Sequence, residues 1–167
     1  MSGAVGKLVV VENDKVEGTD KHNVSGNATN PAAPPPTVPY VGVGDFDYVG
    51  KMTDALSDFV KIDGTPAATV KSKSSLDPGE SAPGGGHHGA SGKNFLPPTP
   101  SPITSTLSIT DPVGEGNPSA TAGSAFASIG GDAILLDGDS IDTCDGLSVP
   151  MNSTVTAETQ SFVSCSE

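Results

Sequence analysis

The sequence predicts an all-β fold made of short strands and many loops. Glycine and proline number 21 and 15 in a chain of 167 residues, a density typical of either disorder or a loop-rich β-structure. Order is favoured by runs of β-branched and other apolar residues at positions 8–11, 60–62 and 103–109. A hydrophobic fraction of 34% without tryptophan excludes a large aromatic core, and the length fits one domain, residues 1–167.

The N-terminal part is predicted to hold two strands joined by a proline-rich connector. Residues 7–26 carry a strand and then a polar turn that contains His22. Residues 30–36 form a proline-rich run, which is stiff and close to polyproline II in conformation. This run leads directly into residues 37–43, which alternate like a strand, so we expect the connector to be packed against the fold.

One short helix is predicted in residues 45–59, with Asp47 as its N-cap. Four apolar residues there are spaced by three, four and three positions, which is the helical period. They are Val49, Met52, Leu56 and Phe59. We interpret this stripe as core packing.

A degenerate unit of strand, turn, strand and polar loop occurs three times along the chain. The strongest example has Asp63-Gly64 between alternating residues, which is a hairpin signal. Residues 125–146 repeat the pattern, and residues 148–165 read as one or two edge strands. A metal-capable residue follows each unit, and a second cysteine lies in the tail. These residues are His22, His87 or His88, Cys144 and Cys165.

The charge pattern restricts the partners that the protein can have. The net charge is −12, and all eight basic residues are lysine, whereas a nucleic-acid-binding face normally offers a basic patch with arginine. No nucleic-acid partner is therefore expected, and an acidic surface also argues against resting on anionic lipid. Because no basic segment followed by an apolar stretch opens the chain, we expect synthesis in the cytoplasm without a signal peptide, and export only by a machine.

Residues 60–70, Val-Lys-Ile-Asp-Gly-Thr-Pro-Ala-Ala-Thr-Val, resemble the hallmark of PAAR-repeat proteins, with Thr69 where that family often has arginine. Residues 36–41 resemble the proline-rich entry strand of PAAR-like variants, and residues 79–86 resemble their glycine-rich loop. Residues 126–144 resemble an eroded repeat in which Ser140 replaces the usual proline after Gly138-Asp139. Together these segments cover roughly residues 7–146.

The resemblance implies a small cone with pseudo-threefold repeats that caps the homotrimeric β-helical spike of a contractile injection system. Type VI secretion systems, phage-tail-like particles and extracellular injection particles use such tips to puncture a membrane, which the tip contacts only transiently. The tip would sit as a monomer on a trimer and be delivered outside the cell or into a target cell. It would hold a structural zinc ion through His22, His87 or His88, Cys144 and Cys165, the last returned to the apex by the tail.

Several alternatives remain at this level. The two cysteines could form a disulfide instead of binding metal. The serine- and threonine-rich composition also fits a secreted adhesive or fibre subunit, which would polymerise without metal. A small zinc hydrolase is a third possibility, but the sequence offers neither a His-Glu-x-x-His pattern nor a Gly-x-Ser-x-Gly elbow, so no enzyme activity is expected.

Overall fold

A computed structural model describes residues 6–32, 34–76, 91–110, 115–143 and 153–166. Strands dominate these ranges, and their helical content includes one 3₁₀ turn, Thr104–Thr106, so the all-β prediction is confirmed. None of the helical segments in these ranges is long and apolar enough to cross a membrane.

The strands are named in chain order. They are β1 (Lys7–Leu8), β2 (Lys15–Thr29), β3 (Thr37–Asp54), β4 (Lys61–Ile62), β5 (Thr65–Pro66), β6 (Lys73–Leu76), β7 (Lys93–Leu96), β8 (Ser101–Pro102), β9 (Ser108–Ile109), β10 (Glu115–Pro118), β11 (Ser128–Ile129), β12 (Asp132–Ala133), β13 (Ser140–Thr143), β14 (Ser153–Thr156) and β15 (Ser164–Cys165).

Six antiparallel strands close into a barrel. Its order is β2, β3, β6, β10, β13, β14 and back to β2, so each of the six has a partner on both sides within the barrel. Glycine is required where the strands approach closely: a Cβ on Gly18 would lie 2.1 Å from Ser153 Oγ, and one on Gly116 would lie 2.2 Å from Ser74 Oγ. Closure removes the sheet edges at which other chains could pair.

Three short segments, which we call the floor, lie across one end of the barrel: residues 9–11, 67–69 and 134–136. Their middle residues donate to one another around a closed ring, from Val10 N to Leu135 O (3.0 Å), from Leu135 N to Ala68 O (3.1 Å) and from Ala68 N to Val10 O (2.9 Å). Bridges also join the segments pairwise, at Val9 with Leu136, Val11 with Ala67, and Thr69 with Ile134. This ring of equivalent hydrogen bonds defines a pseudo-threefold axis.

The floor separates two apolar clusters. Val10, Ala68 and Leu135 belong to the cluster inside the barrel, together with residues such as Met52. Their neighbours belong to a second cluster on the opposite side, whose buried members are Val9, Val11, Ile62 and Leu136. Because successive side chains of an extended segment point to opposite faces, each floor segment contributes to both clusters.

One two-stranded antiparallel pair adjoins each floor segment; we call each pair a hairpin, although only two of them have a connecting turn, and this side of the floor the hairpin end. Strands β4 and β5 pair through a turn at Asp63 (φ 48°) and Gly64 (φ 81°), which confirms the hairpin predicted there. Strands β11 and β12 pair through Gly130 (φ 63°) and Gly131 (φ 97°). The third hairpin joins distant parts of the chain, since β1 pairs with β15.

The alignment of the third sequence unit requires correction. The hairpin turn lies at Gly130-Gly131, so Ala133 occupies the position of Pro66, and Ser140 does not. Gly138 and Asp139 instead lie in the turn that follows the floor, where Asp139 N donates to Leu136 O at 3.0 Å. Ser72 N donates to Thr69 O at 2.9 Å in the corresponding turn.

The helix predicted in residues 45–59 is wrong. Residues up to Asp54 belong to β3, where Phe46, Tyr48 and Met52 point inward at the strand period of two. Phe59, assigned to the helical stripe, is 74% exposed. The inward position between Tyr48 and Met52 is Gly50, which carries no side chain and so conceals the alternation in the sequence.

Strands β2 and β3 pair along 15 residue pairs, far beyond the four-residue strands of the barrel. Their distal part and the segment 94–110 together form what we call the arm, residues 22–44 and 94–110. Strands β8 and β9 pair with the outer edge of β2, and β7 pairs with β3. A separate apolar cluster holds the arm together, with Val24, Ala28, Tyr40, Phe46 and Leu107 as its buried members. The residue 37–43 strand is confirmed within β3.

Candidate functional site: a threefold hairpin end

The three hairpins have the same hydrogen-bond pattern with the floor. Val9 N donates to Val163 O (3.0 Å), Ala67 N to Val60 O (3.0 Å), and Ile134 N to Ala127 O (3.1 Å). One strand of each hairpin therefore enters the floor by an equivalent route. The arrangement is threefold in the backbone although the three sequences differ.

In each unit, a polar side chain accepts a hydrogen bond from the backbone N–H three residues later. Ser57 Oγ accepts from Val60 N at 3.0 Å, Ser124 Oγ accepts from Ala127 N at 3.1 Å, and Gln160 Oε1 accepts from Val163 N at 2.8 Å. Each side chain fixes the path of the three residues between itself and the following strand. The central residue of that path is therefore presented in the same way in all three units.

That residue is phenylalanine in every unit, and we call the three the Phe triad: Phe59, Phe126 and Phe162. They are 74%, 78% and 65% exposed, respectively. The three residues occupy the equivalent position in the three units, directly before the residue whose N–H donates to the polar side chain. Three of the five phenylalanines in the chain are thus exposed to solvent at equivalent positions of the three units. The Phe triad is therefore the candidate contact surface of the hairpin end.

The surface beside Phe59 is indented where the first and second hairpins adjoin. An open cavity of about 210 Å³ lies between the loop 55–59 and the turn of the β11–β12 hairpin. Its walls include Thr69, Lys71, Ile129 and Asp132. A partner side chain placed against Phe59 would therefore find a recess beside it.

Four polar side chains are fully buried on the barrel side of the floor, past the apolar cluster that contains Val10. They are Asp20, His22, Thr143 and Ser153. Thr143 Oγ1 donates to Asp20 Oδ1, and the hydroxyls of Thr143 and Ser153 lie 2.8 Å apart. His22 Nε2 is 3.8 Å from Asp20 Oδ2, and the imidazole packs edge-on against Phe46 with ring centroids 5.4 Å apart. His22 is thus a core residue in a polar layer, not the surface turn residue of the sequence prediction.

Cys165 lies on the other side of the floor. It pairs with Lys7 and packs against the cluster of Val9 and Leu136, with Ser124 Oγ 3.4 Å from its Sγ. His22 is seven residues beyond the start of β2, about 23 Å along the strand at roughly 3.3 Å per residue. The structure therefore does not bring His22 and Cys165 together.

The remaining predicted ligands, His87, His88 and Cys144, lie outside the described residues. Among the residues that are described, no group of three His, Cys, Asp or Glu side chains is positioned to hold a metal ion. Cys144 directly follows Thr143, the residue that bonds to Asp20.

Ion pairs lie where the arm leaves the barrel. Lys21 Nζ is 2.5 Å from Asp45 Oδ1, and Lys93 Nζ is 2.7 Å from Asp47 Oδ1. The hydrogen bonds from Lys21 and then Asn94 lower the pKa of Asp45 below its ordinary value. Charge is thus concentrated at the base of the arm.

The sequence prediction missed the Phe triad. The signal was present as a polar residue, any residue and then phenylalanine, at residues 57–59, 124–126 and 160–162. The third copy is separated from its floor segment, residues 9–11, by nearly the whole chain, so a linear search for repeats does not align it with the other two.

Comparison with family models, with curated proteins and with solved structures gave no match for this chain. The interpretation of the site therefore depends on its own geometry.

Proposed function

We propose that this protein is the structural tip of a contractile injection system, capping the homotrimeric β-helical spike. The single observation that carries the proposal is the closed ring of Val10, Ala68 and Leu135, by which one chain acquires pseudo-threefold symmetry. The end of a homotrimer is threefold, so a single-chain cap contacts all three subunits equivalently only if the cap is itself nearly threefold. One chain with three equivalent hairpins satisfies that geometry.

The Phe triad supplies a physical basis for the contact. Each exposed phenylalanine can enter a site on a different spike subunit, and the apolar area removed from water stabilises the complex at about 25 cal/mol per Å². Aromatic side chains buried at the centre of an interface commonly dominate its binding energy. Three such contacts around one axis also fix the cap in line with the spike.

The fold gives the cap a direction. Strand β2 begins next to the floor and runs through the barrel into the arm, so the arm projects from the end opposite the hairpins. If the hairpin end docks on the spike, the arm leads when the sheath contracts. The protein would then be assembled in the cytoplasm into an injection particle and delivered with it.

Stoichiometry tests this proposal. The chain mixed with a trimeric spike protein of a contractile injection system is expected to form a complex of one cap per three spike subunits, because one chain already occupies all three positions. Light scattering coupled to size-exclusion chromatography measures the ratio. A ratio of three caps to three spike subunits would contradict the proposal, and polymerisation of the chain alone would favour the fibre-subunit alternative.

A structural zinc ion remains part of the proposal, with a reduced set of ligands. His22 and Cys165 cannot share an ion, because zinc is bound at about 2.0–2.3 Å and the two residues lie on opposite sides of the floor. The candidate ligands are then His22, His87 or His88, and Cys144, all of which follow the floor in their units. Bound zinc would join His22 of β2 to the segments that carry His87, His88 and Cys144.

Elemental analysis of purified variants distinguishes the two cysteines. Cys144→Ser is expected to lower the zinc content from one ion per chain to well below half, whereas Cys165→Ser is expected to retain it. Retention of zinc by both variants, or its absence from the unaltered protein, would exclude this ligand set. Circular dichroism of each variant shows that a loss of zinc does not come from failure to fold.

A further inference from the structure

The arm differs from the rest of this acidic protein because its sequence carries no charge. No Asp, Glu, Lys or Arg occurs from His22 to Gly44, and none occurs from Asn94 to Thr110. These two stretches are distant in sequence, yet the structure pairs them as neighbouring strands of the same projection. The remainder of the chain therefore carries the whole net charge of −12.

Apolar side chains are exposed on one face of the arm. Val41 is 76% exposed and Leu96 is 55% exposed. Leu96 pairs with Val43, and Val41 lies two residues away on the same strand, so all three side chains project from the same face. Tyr40 on the opposite face is buried in the arm's own cluster.

The length of the arm is comparable with the thickness of a bilayer. From the pair of His22 and Gly44 to the pair of Thr29 and Thr37 there are seven steps, about 24 Å at roughly 3.4 Å per residue. The hydrocarbon core of a bilayer is about 30 Å thick. The ion pairs of Lys21 and Lys93 lie at the barrel end of the arm, directly next to its charge-free residues.

We infer that the arm is a lipid-contacting element, which meets an uncharged bilayer surface with the face of Val41 and Leu96. The inference deepens the proposed function by assigning the membrane contact to particular residues. A charged side chain costs about 2.5–3.5 kcal/mol at the centre of a membrane on insertion scales, and the arm contains none. The arm is an open sheet, which does not satisfy its backbone groups in hydrocarbon as a closed barrel would, so unforced binding is confined to the interface.

The absence of tryptophan from the chain allows a direct test. Val41→Trp places a single reporter on the arm, and Phe126→Trp places one at the hairpin end with nearly the same initial exposure, since the replaced residues are 76% and 78% exposed. On addition of phosphatidylcholine vesicles, the emission of V41W is expected to shift to the blue and that of F126W to stay unchanged. Brominated lipids should quench only V41W.

A charge placed opposite the reporter gives the matched control. Ser25 pairs with Val41 across the hairpin, so Ser25→Glu in the V41W protein puts a carboxylate beside the tryptophan. The partition coefficient is expected to fall by about tenfold, which is less than the full cost of a charge at the membrane centre because the contact is interfacial. Equal shifts in V41W and F126W, or no shift in V41W, would overturn the inference.

Self-association gives a different signature. A blue shift of V41W that grows with protein concentration in the absence of vesicles would show that the arm contacts a second copy of the chain. It would contradict the proposed contact with a bilayer. The vesicle experiment contains no spike and the stoichiometry experiment contains no lipid. Failure of the lipid contact is therefore distinguishable from failure of the proposed cap.

Discussion

Replacing Asp14 with alanine is expected to lower the free energy of unfolding by about 3–5 kcal/mol, a large fraction of the roughly 5–15 kcal/mol that stabilises a typical domain. Asp14 is fully buried at the turn between the floor and β2. Its Oδ2 accepts from Val11 N at 2.7 Å, and its Oδ1 accepts from Glu158 N at 2.9 Å and Thr159 N at 2.8 Å. One carboxylate thus joins the beginning of the chain to the loop before β15.

The size of the effect follows from leaving donors without an acceptor. A buried donor that loses its partner costs about 1–3 kcal/mol, which applies to Val11 N, and two part-buried hydrogen bonds from Glu158 N and Thr159 N to the carboxylate are lost with it. Asp14→Asn keeps one acceptor oxygen and is expected to give an intermediate loss. Asp58→Ala removes an exposed carboxylate and should change stability by less than about 0.5 kcal/mol. Denaturant unfolding of the three variants measures these values, and a loss below about 1 kcal/mol for Asp14→Ala would refute the account.

Replacing all three residues of the Phe triad with serine is expected to weaken binding to the trimeric spike by more than a thousandfold. Burying one phenylalanine side chain contributes about 1.5–3 kcal/mol, and three independent contacts together exceed the roughly 4 kcal/mol that a thousandfold change requires. The variant is expected to fold, because each replaced side chain is at least 65% exposed in the free protein. Isothermal calorimetry or surface plasmon resonance measures the loss.

Two controls make the triad experiment specific. Val41→Ser removes an equally exposed apolar side chain at the arm and should leave spike binding unchanged. The three single phenylalanine substitutions are expected to give losses of similar size, since the pseudo-threefold axis makes their positions equivalent. Wild-type affinity in the triple variant would exclude the hairpin end as the docking surface.

Local patterns predicted local structure well in this chain. Asp63-Gly64 identified its hairpin because a type I′ turn needs positive φ at both central residues, and this requirement is visible in a dipeptide. The strand at residues 37–43 was equally visible from alternation. The helix was predicted wrongly because Gly50, which is needed where a Cβ would lie 2.2 Å from Ser75 O, removed one apolar residue from the strand pattern.

Features that depend on pairing between distant segments could not be predicted in the same way. His22 appeared as a turn residue because its polar neighbours are typical of a loop, whereas it lies within β2, paired with β3, and its buried ring packs against Phe46. The position of Cys165 follows from its pairing with Lys7, which no local pattern reveals. The uncharged arm was visible in the sequence as two stretches, but only the structure shows that they are adjacent.

The pairing of β1 with β15 has a consequence for biosynthesis. Ribosomes add roughly 5–20 residues per second, so Lys7 emerges well before Cys165 and waits on the order of ten seconds or more for its partner. During that interval residues 9–11 lack the hairpin that anchors them, and the floor has at most two of its three supports. Contacts this distant in sequence also slow folding, because a long loop must close before they form. The chain therefore reaches its final fold only after translation has passed β15, and a shorter nascent chain lacks the third of the three equivalent strand pairs.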